Sequence, residues 1–423
     1  MIKILDYLAL GDKIFEREEA KLNVAETVSE IIEKVKTDGD EALRFYSQKF
    51  DKVNLDSLEV TQEEFEQALL EVEPEFLRIL QDSANNIKEF HSKQVRNGFK
   101  IEKQDGVIIG QKITPVERAG LYVPGGTAAY PSTVLMDSIP AKIAGVKELY
   151  ITTPPNKQGK VNPVILAAAK IAGVDKVYKV GGAQAIAALA YGTETIKKVD
   201  KIVGPGNAFV AEAKRQVFGR VSIDMIAGPS EILVIADGKS NPKHVAADLL
   251  SQAEHDKMAS AVLVTESLSL AKEVQKEIEI QLENLPRKEI ARASIENNGK
   301  IIVAKDLEQV IMVSNEIAPE HLELIVDNPF NYLDKITNAG SIFMGRYCPE
   351  ALGDYYAGPN HTLPTSGTAR FSSPLSVDDF IKKTQFTFYT KEGLEKVYKD
   401  VAFFAKKEGL DAHAKSATVR FEK

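Results

Sequence analysis

Pro319-Glu320-His321-Leu322 sets a carboxylate beside an imidazole. The pair is expected in a loop between a helix over Asp306 to Ile317 and a strand over Leu322 to Val326, a place where α/β enzymes tend to put working side chains. Imidazole exchanges protons near neutral pH, and a neighbouring carboxylate can act as a second base. A Glu-His dipeptide by itself is a weak motif, and on its own it is more often a solvated loop pair.

Ser251-Gln252-Ala253-Glu254-His255 ends a helix beginning at Asn241-Pro242. Gln252 and His255 are three apart and share a helix face. A histidine with a second polar donor on one face is a metal-site geometry, although glutamine is an unusual zinc ligand and a polar helix end explains the pair as well. Asp354 and His361 lie in a glycine- and proline-containing loop, Gly353 to His361, and His413 follows Glu408-Gly409-Leu410-Asp411-Ala412. These spacings leave proximity open. His91 and His244 are expected on polar helix surfaces.

Three glycine turns follow expected strands: Val123-Pro124-Gly125-Gly126, Val180-Gly181-Gly182-Ala183-Gln184 and Gly204-Pro205-Gly206-Asn207. The last two open helices. Exposed amides at a helix start attract phosphate, and glycine lets the backbone approach it. That suits a dinucleotide, but tight α/β turns need glycine for geometry alone. Gly204-x-Gly206 lacks the third glycine of the usual fingerprint.

The elements that must position these residues change along the chain. Residues up to about 100 read as helical, with helix-spaced apolar residues over Val24 to Val35 and Thr61 to Leu70 and a capping box at Thr61 and Glu64. From Val107 short apolar strands alternate with Ala-rich helices: strands at Glu148 to Thr153, Lys176 to Val180, Lys201 to Val203, Glu231 to Ala236, Ala261 to Thr265, Lys300 to Ala304 and Ser341 to Met344, and a helix over Pro163 to Ala172. This alternation predicts an α/β fold with two Rossmann-like parallel-sheet domains. A small helical N-terminal segment and a small C-terminal domain complete it. The expected boundaries are 1–20 for the N-terminal segment, 21–121 with 231–375 for the first α/β domain, 122–230 for the second, and 376–423 for the tail. In the tail, Ser376 and Asp379 mark a helix start, Gln385 to Thr390 a strand and Lys391 to Lys407 an amphipathic helix.

The chain has 423 residues, 44% hydrophobic and 27% charged, enough for two or three cored domains. A net charge of −8 and a pI of about 5.5 offer no basic surface for nucleic acid. No apolar run approaches the roughly 20 residues that span a membrane. Met1 to Leu10 lacks a basic-then-apolar signal pattern. The single cysteine, Cys348, rules out an internal disulfide and fits a reducing cytoplasm.

Taken in order, these stretches resemble the histidinol dehydrogenase family. The resemblance runs through Gly120-Leu121-Tyr122-Val123-Pro124-Gly125-Gly126, the Val180 to Ala188 turn, Gly204 to Val210 with Glu212-Ala213-Lys214-Arg215, and Ile226-Ala227-Gly228-Pro229-Ser230-Glu231. It continues through Leu250 to His255, Pro319 to Leu322 and the Gly353 to His361 loop, covering about residues 20 to 415. It implies oxidation of L-histidinol to L-histidine, the last steps of histidine biosynthesis, with two NAD⁺ and one zinc ion. It further implies NAD contacts at Tyr122, Gln184 and Asn207, and zinc ligands Gln252, His255, Asp354 and His413. Substrate contacts would be Ser230, His321, His361 and Glu408 besides the zinc ligands, with Glu320 and His321 as the acid–base pair. The expected assembly is a homodimer whose site is shared between subunits.

On that resemblance zinc would hold the imidazole and amine of histidinol, a positioning role. His321 would take the alcohol proton as the first hydride leaves. Glu320 would activate a water on the enclosed aldehyde, and the gem-diol would lose the second hydride. Cys348 lies six residues before Asp354, so a thiohemiacetal route is conceivable, but the resemblance gives it no role. Two other classes remain. A zinc hydrolase would use Glu320 on water without a cofactor and leave the glycine turns unexplained. A non-catalytic binding protein of the same fold would need losses at the site positions, and none is visible.

Overall fold

In a computed structural model of the chain, residues 1–7, 24–125, 129–226 and 228–422 are described. The fold divides into two units, Met1–Gln94 with Glu117–Phe380, and Val95–Val116 with Ile381–Lys423.

The first unit begins with β1 (Lys3–Asp6), α1 (Ala25–Asp38), α2 (Asp40–Tyr46), α3 (Gln62–Glu71) and α4 (Pro74–Ser92). The second unit supplies β2 (Phe99–Glu102) and β3 (Ile108–Pro115). The first resumes with β4 (Arg118–Tyr122), α5 (Pro131–Ala144), β5 (Glu148–Thr152), α6 (Pro163–Ala172), β6 (Lys176–Tyr178), α7 (Gly182–Tyr191), β7 (Lys201–Val203), α8 (Ala208–Val217) and β8 (Ser222–Ile223). A further run holds β9 (Glu231–Ala236), α9 (Pro242–Ala253), β10 (Ser260–Thr265), α10 (Leu268–Leu282), α11 (Lys288–Asn297) and β11 (Lys300–Val303). It ends with α12 (Leu307–Ile317), β12 (His321–Ile325), β13 (Ser341–Met344) and α13 (Glu350–Tyr355).

Two parallel sheets result. The five-stranded sheet has the order β6-β5-β4-β7-β8, and the six-stranded sheet β1-β11-β10-β9-β12-β13. In each, strand order reverses beside the first strand of its βα run, between β4 and β7 and between β9 and β12. In open α/β sheets the crevice at such a reversal, beyond the strands' carboxyl ends, is the usual ligand position. β9 is buried along its whole length because helices cover both faces. Ile232 and Val234 face a core shared with α9 to α11, and Leu233 and Ile235 face the core under α12, the alternation a strand imposes.

Many expected elements stand as drawn, including β7, β9, β13, α6 and the Thr61–Glu64 capping box. Several do not. Lys3–Asp6, expected in a helical segment, is an edge strand beside β11, because Ile2 and Ile4 complete that sheet's core; residues 8–23 lie outside those described. The 121/122 boundary cuts β4, whose Arg118 to Leu121 pair with β5 and β7. The early helices were expected with the six-stranded sheet. Instead Val28, Ile31, Ile32 and Val35 of α1 pack with Ala185, Ile186 and Leu189 of α7, over the five-stranded sheet. An amphipathic pattern shows which face is buried but not what covers it. His91, expected at the surface, is 0% exposed.

The second unit joins β14 (Ile381–Phe388) antiparallel to β3 along its whole length, with β2 on the far side of β3. The tail therefore forms a unit with residues 95–116, from Ile381 and not from 376. Val377–Phe380 is a short 3-10 turn of the first unit, with Ser376 bonded to Asp379 as its start. The helix expected over Lys391 to Lys407 is broken into α14 (Lys391–Glu395) and α15 (Tyr398–Lys407), followed by α16 (Asp411–Thr418). The two pieces answer to different partners. Thr390 and Gly393 sit against Asp105, while Ala402 and Ala405 pack on Ala414 of α16.

Candidate active site

The backbone N–H and carbonyl of Glu231, the first residue of β9, hold both members of the Glu-His pair. Glu231 N–H donates to Glu320 Oε2 at 2.8 Å, and the Glu231 carbonyl lies 3.0 Å from His321 Nδ1. Parallel pairing of β12 with β9, His321 opposite Ile232, brings them together. A carbonyl only accepts, so Nδ1 carries the proton and Nε2 is left with a bare lone pair. Nε2 stands 3.8 Å from Glu350 Oε1 and 3.9 Å from Asp354 Oδ1.

Glu350 and Asp354 are four apart on α13 and so share a face. Gly353 lets this helix lie on the Phe343 ring, since a Cβ there would meet the ring at 2.3 Å. The same ring stacks on His321, with centroids 6.1 Å apart. Glu350 N–H donates to Glu323 Oε1 at 2.7 Å, which anchors the start of α13 to β12.

His361 completes the group. Its Nδ1 is 3.8 Å from Asp354 Oδ1, and its Nε2 is 3.3 Å from Thr133 Oγ1 on α5. Its neighbours fasten the loop to α5: Asn360 Nδ2 donates to the Met136 carbonyl at 2.6 Å, and Thr362 Oγ1 to Asp137 Oδ1 at 2.8 Å. His91 lies behind Asn360, 3.5 Å from it, with its other nitrogen 2.7 Å from Gln94 Oε1. It is held on both sides, which is why it is buried.

Burial dominates the electrostatics. It pushes Glu320 well above the usual carboxylate range, against the pull of the Glu231 N–H. Burial likewise lifts Glu350 to about 7 and Asp354 to about 6. It lowers His321, and it takes His361 down to about 4. Acids that resist ionising beside imidazoles that resist protonation form a site short of positive charge. The ligand atoms of His321, Glu350 and Asp354 lie within 4.8 Å of one another. Gln252 is 1% exposed, and neither side-chain atom has a hydrogen-bond partner among the described residues. His255, exposed, lies three residues on from Gln252, its N–H donating to the Gln252 carbonyl at 3.1 Å. Nitrogen and oxygen donors of this kind suit a borderline cation such as Zn²⁺.

The glycine turns lie at the carboxyl ends of the five-stranded sheet, on both sides of its reversal. Tyr122 ends β4, and its Oη accepts the Gly182 N–H at 3.1 Å, so the phenolic proton is directed elsewhere. Gln184 is buried, with Oε1 unpartnered among the described residues. Asn207 is exposed and caps α8, its Oδ1 accepting from Phe209 and Val210 N–H at 3.1 and 3.2 Å; its amide nitrogen has no partner among the described residues. Gly126 lies outside the described residues. An orphaned buried carbonyl and glycine-opened helix starts at a strand-order reversal fit a dinucleotide.

Ser230 immediately precedes β9, its carbonyl accepting the Ser260 N–H at 3.0 Å. Glu408 and His413 belong to the second unit, where both are exposed, Glu408 closing α15 and His413 on α16. Cys348 is half-buried between β13 and α13. His244 is exposed, as expected. Glu350 and the Glu231 backbone escaped the sequence reasoning. The four-residue spacing from Glu350 to Asp354 was a signal for the first; a main-chain contact leaves none.

The family model for histidinol dehydrogenase matches residues 15–421. The chain belongs to the histidinol dehydrogenase family. It is 57% identical over 417 residues to the histidinol dehydrogenase of Clostridium acetobutylicum, covering 97% of each chain. It is 59% identical over 401 residues to that of Listeria monocytogenes serovar 1/2a, covering 95% of this chain and 94% of the other. The crystal structure of histidinol dehydrogenase from Elizabethkingia anophelis superposes with a TM-score of 0.94 at 43% identity, covering 99% of this chain and 97% of that one. As a member of the histidinol dehydrogenase family the chain is an oxidoreductase, and its mixed α/β fold with parallel sheets is that of the solved relative. Among the described residues no helix is long and apolar enough to cross a membrane.

Proposed function

We propose that the chain oxidises L-histidinol through L-histidinal to L-histidine, closing histidine biosynthesis in the cytoplasm, with two NAD⁺ per turnover and one zinc ion. The observation that carries this is the Glu231 backbone, which holds Glu320 and His321 together and leaves His321 Nε2 bare beside Asp354. Gln252, His255, Asp354 and His413 would hold zinc, and Tyr122, Gln184 and Asn207 would contact NAD. When bound, zinc supplies an anchor for the substrate's imidazole and amine, and NAD⁺ a hydride acceptor. Ser230, His361 and Glu408 would orient the substrate. His321 Nε2 accepts the hydroxyl proton as hydride leaves the carbinol carbon. Glu320, with one oxygen bound to Glu231 N–H and its ionised form favoured once a cation is bound, would offer the other to a water adding to the aldehyde. His321 then takes a proton from the resulting gem-diol as the second hydride leaves. The unpaired side chain of Gln252 and the nitrogen–oxygen donor set favour the metal. The lone cysteine favours a reducing compartment.

Glu408 and His413 stand in a different unit from Gln252, His255 and Asp354. We infer, on the family resemblance, a homodimer in which one subunit's tail completes the partner's site.

The test is to add L-histidinol and NAD⁺ to the purified protein, follow NADH, and measure bound metal. Two NADH per histidine, with zinc present, is the expected result. No NADH, with water-dependent cleavage of an ester or amide instead, would move the protein to the hydrolase class.

A further inference from the structure

The backbone of Gly204, just beyond the end of β7, is gripped on both sides of its Cα by a buried ion pair. Its N–H donates to Asp224 Oδ2 at 2.8 Å, and its carbonyl accepts from Lys214 Nζ at 3.0 Å. Lys214 and Asp224 also bind each other, and Asp224 Oδ1 takes the Met225 N–H at 2.6 Å. The two side chains are 3% and 1% exposed. Lys214 comes from α8 and Asp224 follows β8, so two elements converge on one turn.

Stability alone does not explain the pair. Two charges withdrawn from water gain little over well-packed apolar residues of similar volume. Apolar residues, however, cannot hold the backbone donor and acceptor of one residue, which belong to the two peptides flanking Gly204. Gly204 has φ +110°, and a Cβ on it would lie 2.2 Å from the Tyr122 carbonyl, so the turn is pressed against the end of β4. Asn207 follows three residues later with its Oδ1 committed to capping α8. The direction of its free amide is therefore set by where Gly204 sits.

We propose that Lys214 and Asp224 are positioning residues for the cofactor. They clamp the Gly204 backbone and so hold the turn, with Tyr122 on one side and Asn207 on the other, in the shape that receives NAD⁺. The inference rests on the assignment of that turn to NAD⁺.

The test measures NADH affinity by nucleotide fluorescence, with KM for NAD⁺ and for L-histidinol measured separately. Lys214→Met with Asp224→Leu removes both charges and fills the space, and Asp224→Asn keeps the shape but loses one of two acceptors. With folding confirmed by Tm, both variants should weaken NADH binding and raise KM for NAD⁺ by about tenfold or more, the weight of a charged hydrogen bond. KM for L-histidinol should stay within about twofold on the same scale. A purely structural pair would lower Tm and shift both KM values together, or neither, and either pattern overturns the proposal. If the double variant does not fold, Asp224→Asn decides alone. Asn207→Ala, run in parallel, separates the two levels. If it too binds NADH normally, the cofactor assignment fails. If it binds weakly while the clamp variants bind normally, only the clamp falls.

Discussion

The carbonyl of Glu231 takes the Nδ1 proton of His321 at 3.0 Å, which makes the opposite ring nitrogen the basic one. Glu320 hangs from the same residue's N–H and keeps one oxygen available. The two side chains thus present separate bases, and the two oxidations should depend on them differently. Glu320→Gln keeps shape and removes the basic carboxylate. It should slow aldehyde oxidation far more than alcohol oxidation, by roughly 10²–10⁴-fold, the usual worth of a general base. His321→Asn should slow both. Supplying histidinol and histidinal separately, with rapid detection of NADH, checks this. Equal slowing of both halves by Glu320→Gln would make Glu320 a support for His321 instead.

Metal removal should abolish turnover, and Zn²⁺ should restore it. His255→Asn should purify with less metal than the parent, and Gln252→Ala likewise, because the buried Gln252 amide has no other partner among the described residues. Metal analysis beside the NAD⁺-coupled assay reads both. Full activity in a verified metal-free sample would end this hypothesis.

Subunit mixing tests the shared site. His255→Asn and His413→Asn should each be inactive alone, and hybrids of the two should regain part of the activity through one intact composite site. Silence after confirmed subunit exchange would place both residues in a site built by one chain.

Cys348→Ala should keep most activity. The thiol is half-buried between β13 and α13, and the family resemblance gives it no role. A drop in kcat beyond about a hundredfold, some 2.7 kcal/mol of barrier, with zinc still bound, would revive a thiohemiacetal.

Asp137 should make stability pH-dependent. Burial raises its carboxyl from the ordinary 3.8 to about 7. Between those values the folded chain keeps a proton that the unfolded chain has lost. Its contribution to stability therefore falls as pH rises through that window, by roughly 1.4 kcal/mol per pH unit, and levels off above the folded value. Asp137→Asn cannot titrate, so its stability should decline less over the same range. Urea unfolding of both proteins at the two ends of the window compares them, and identical slopes would refute the assignment.

What the sequence disclosed and what it hid divide along physical lines. β9, β13 and α6 were legible because apolar runs and Pro or Gly boundaries are local. Glu320, His321, Asp354 and His361 were legible as chemistry-bearing types in motifs, and the structure brings all four together. Glu350 left only its four-residue spacing to Asp354 as a signal, because its six-residue helix is too short to show an apolar period. His91 looked solvated because its helix is charged, whereas part of its cover, Asn360, comes from far along the chain. The alliance of residues 95–116 with the tail is a long-range antiparallel pairing, for which strand propensity names no partner.

Because Glu231 serves the pair through its backbone, while its own carboxylate accepts the Ser366 N–H at 3.2 Å, the contact is nearly invisible to substitution. An alanine scan would pass over position 231 with both bonds intact. Proline could delete the donor, and no replacement could delete the acceptor. What mutation can reach is register. One residue gained or lost at the start of β9 itself would offer Glu320 and His321 the backbone groups of a different residue, facing the other way. The mutational hazard of this site therefore lies in small insertions and deletions within β9 more than in changes of residue type there.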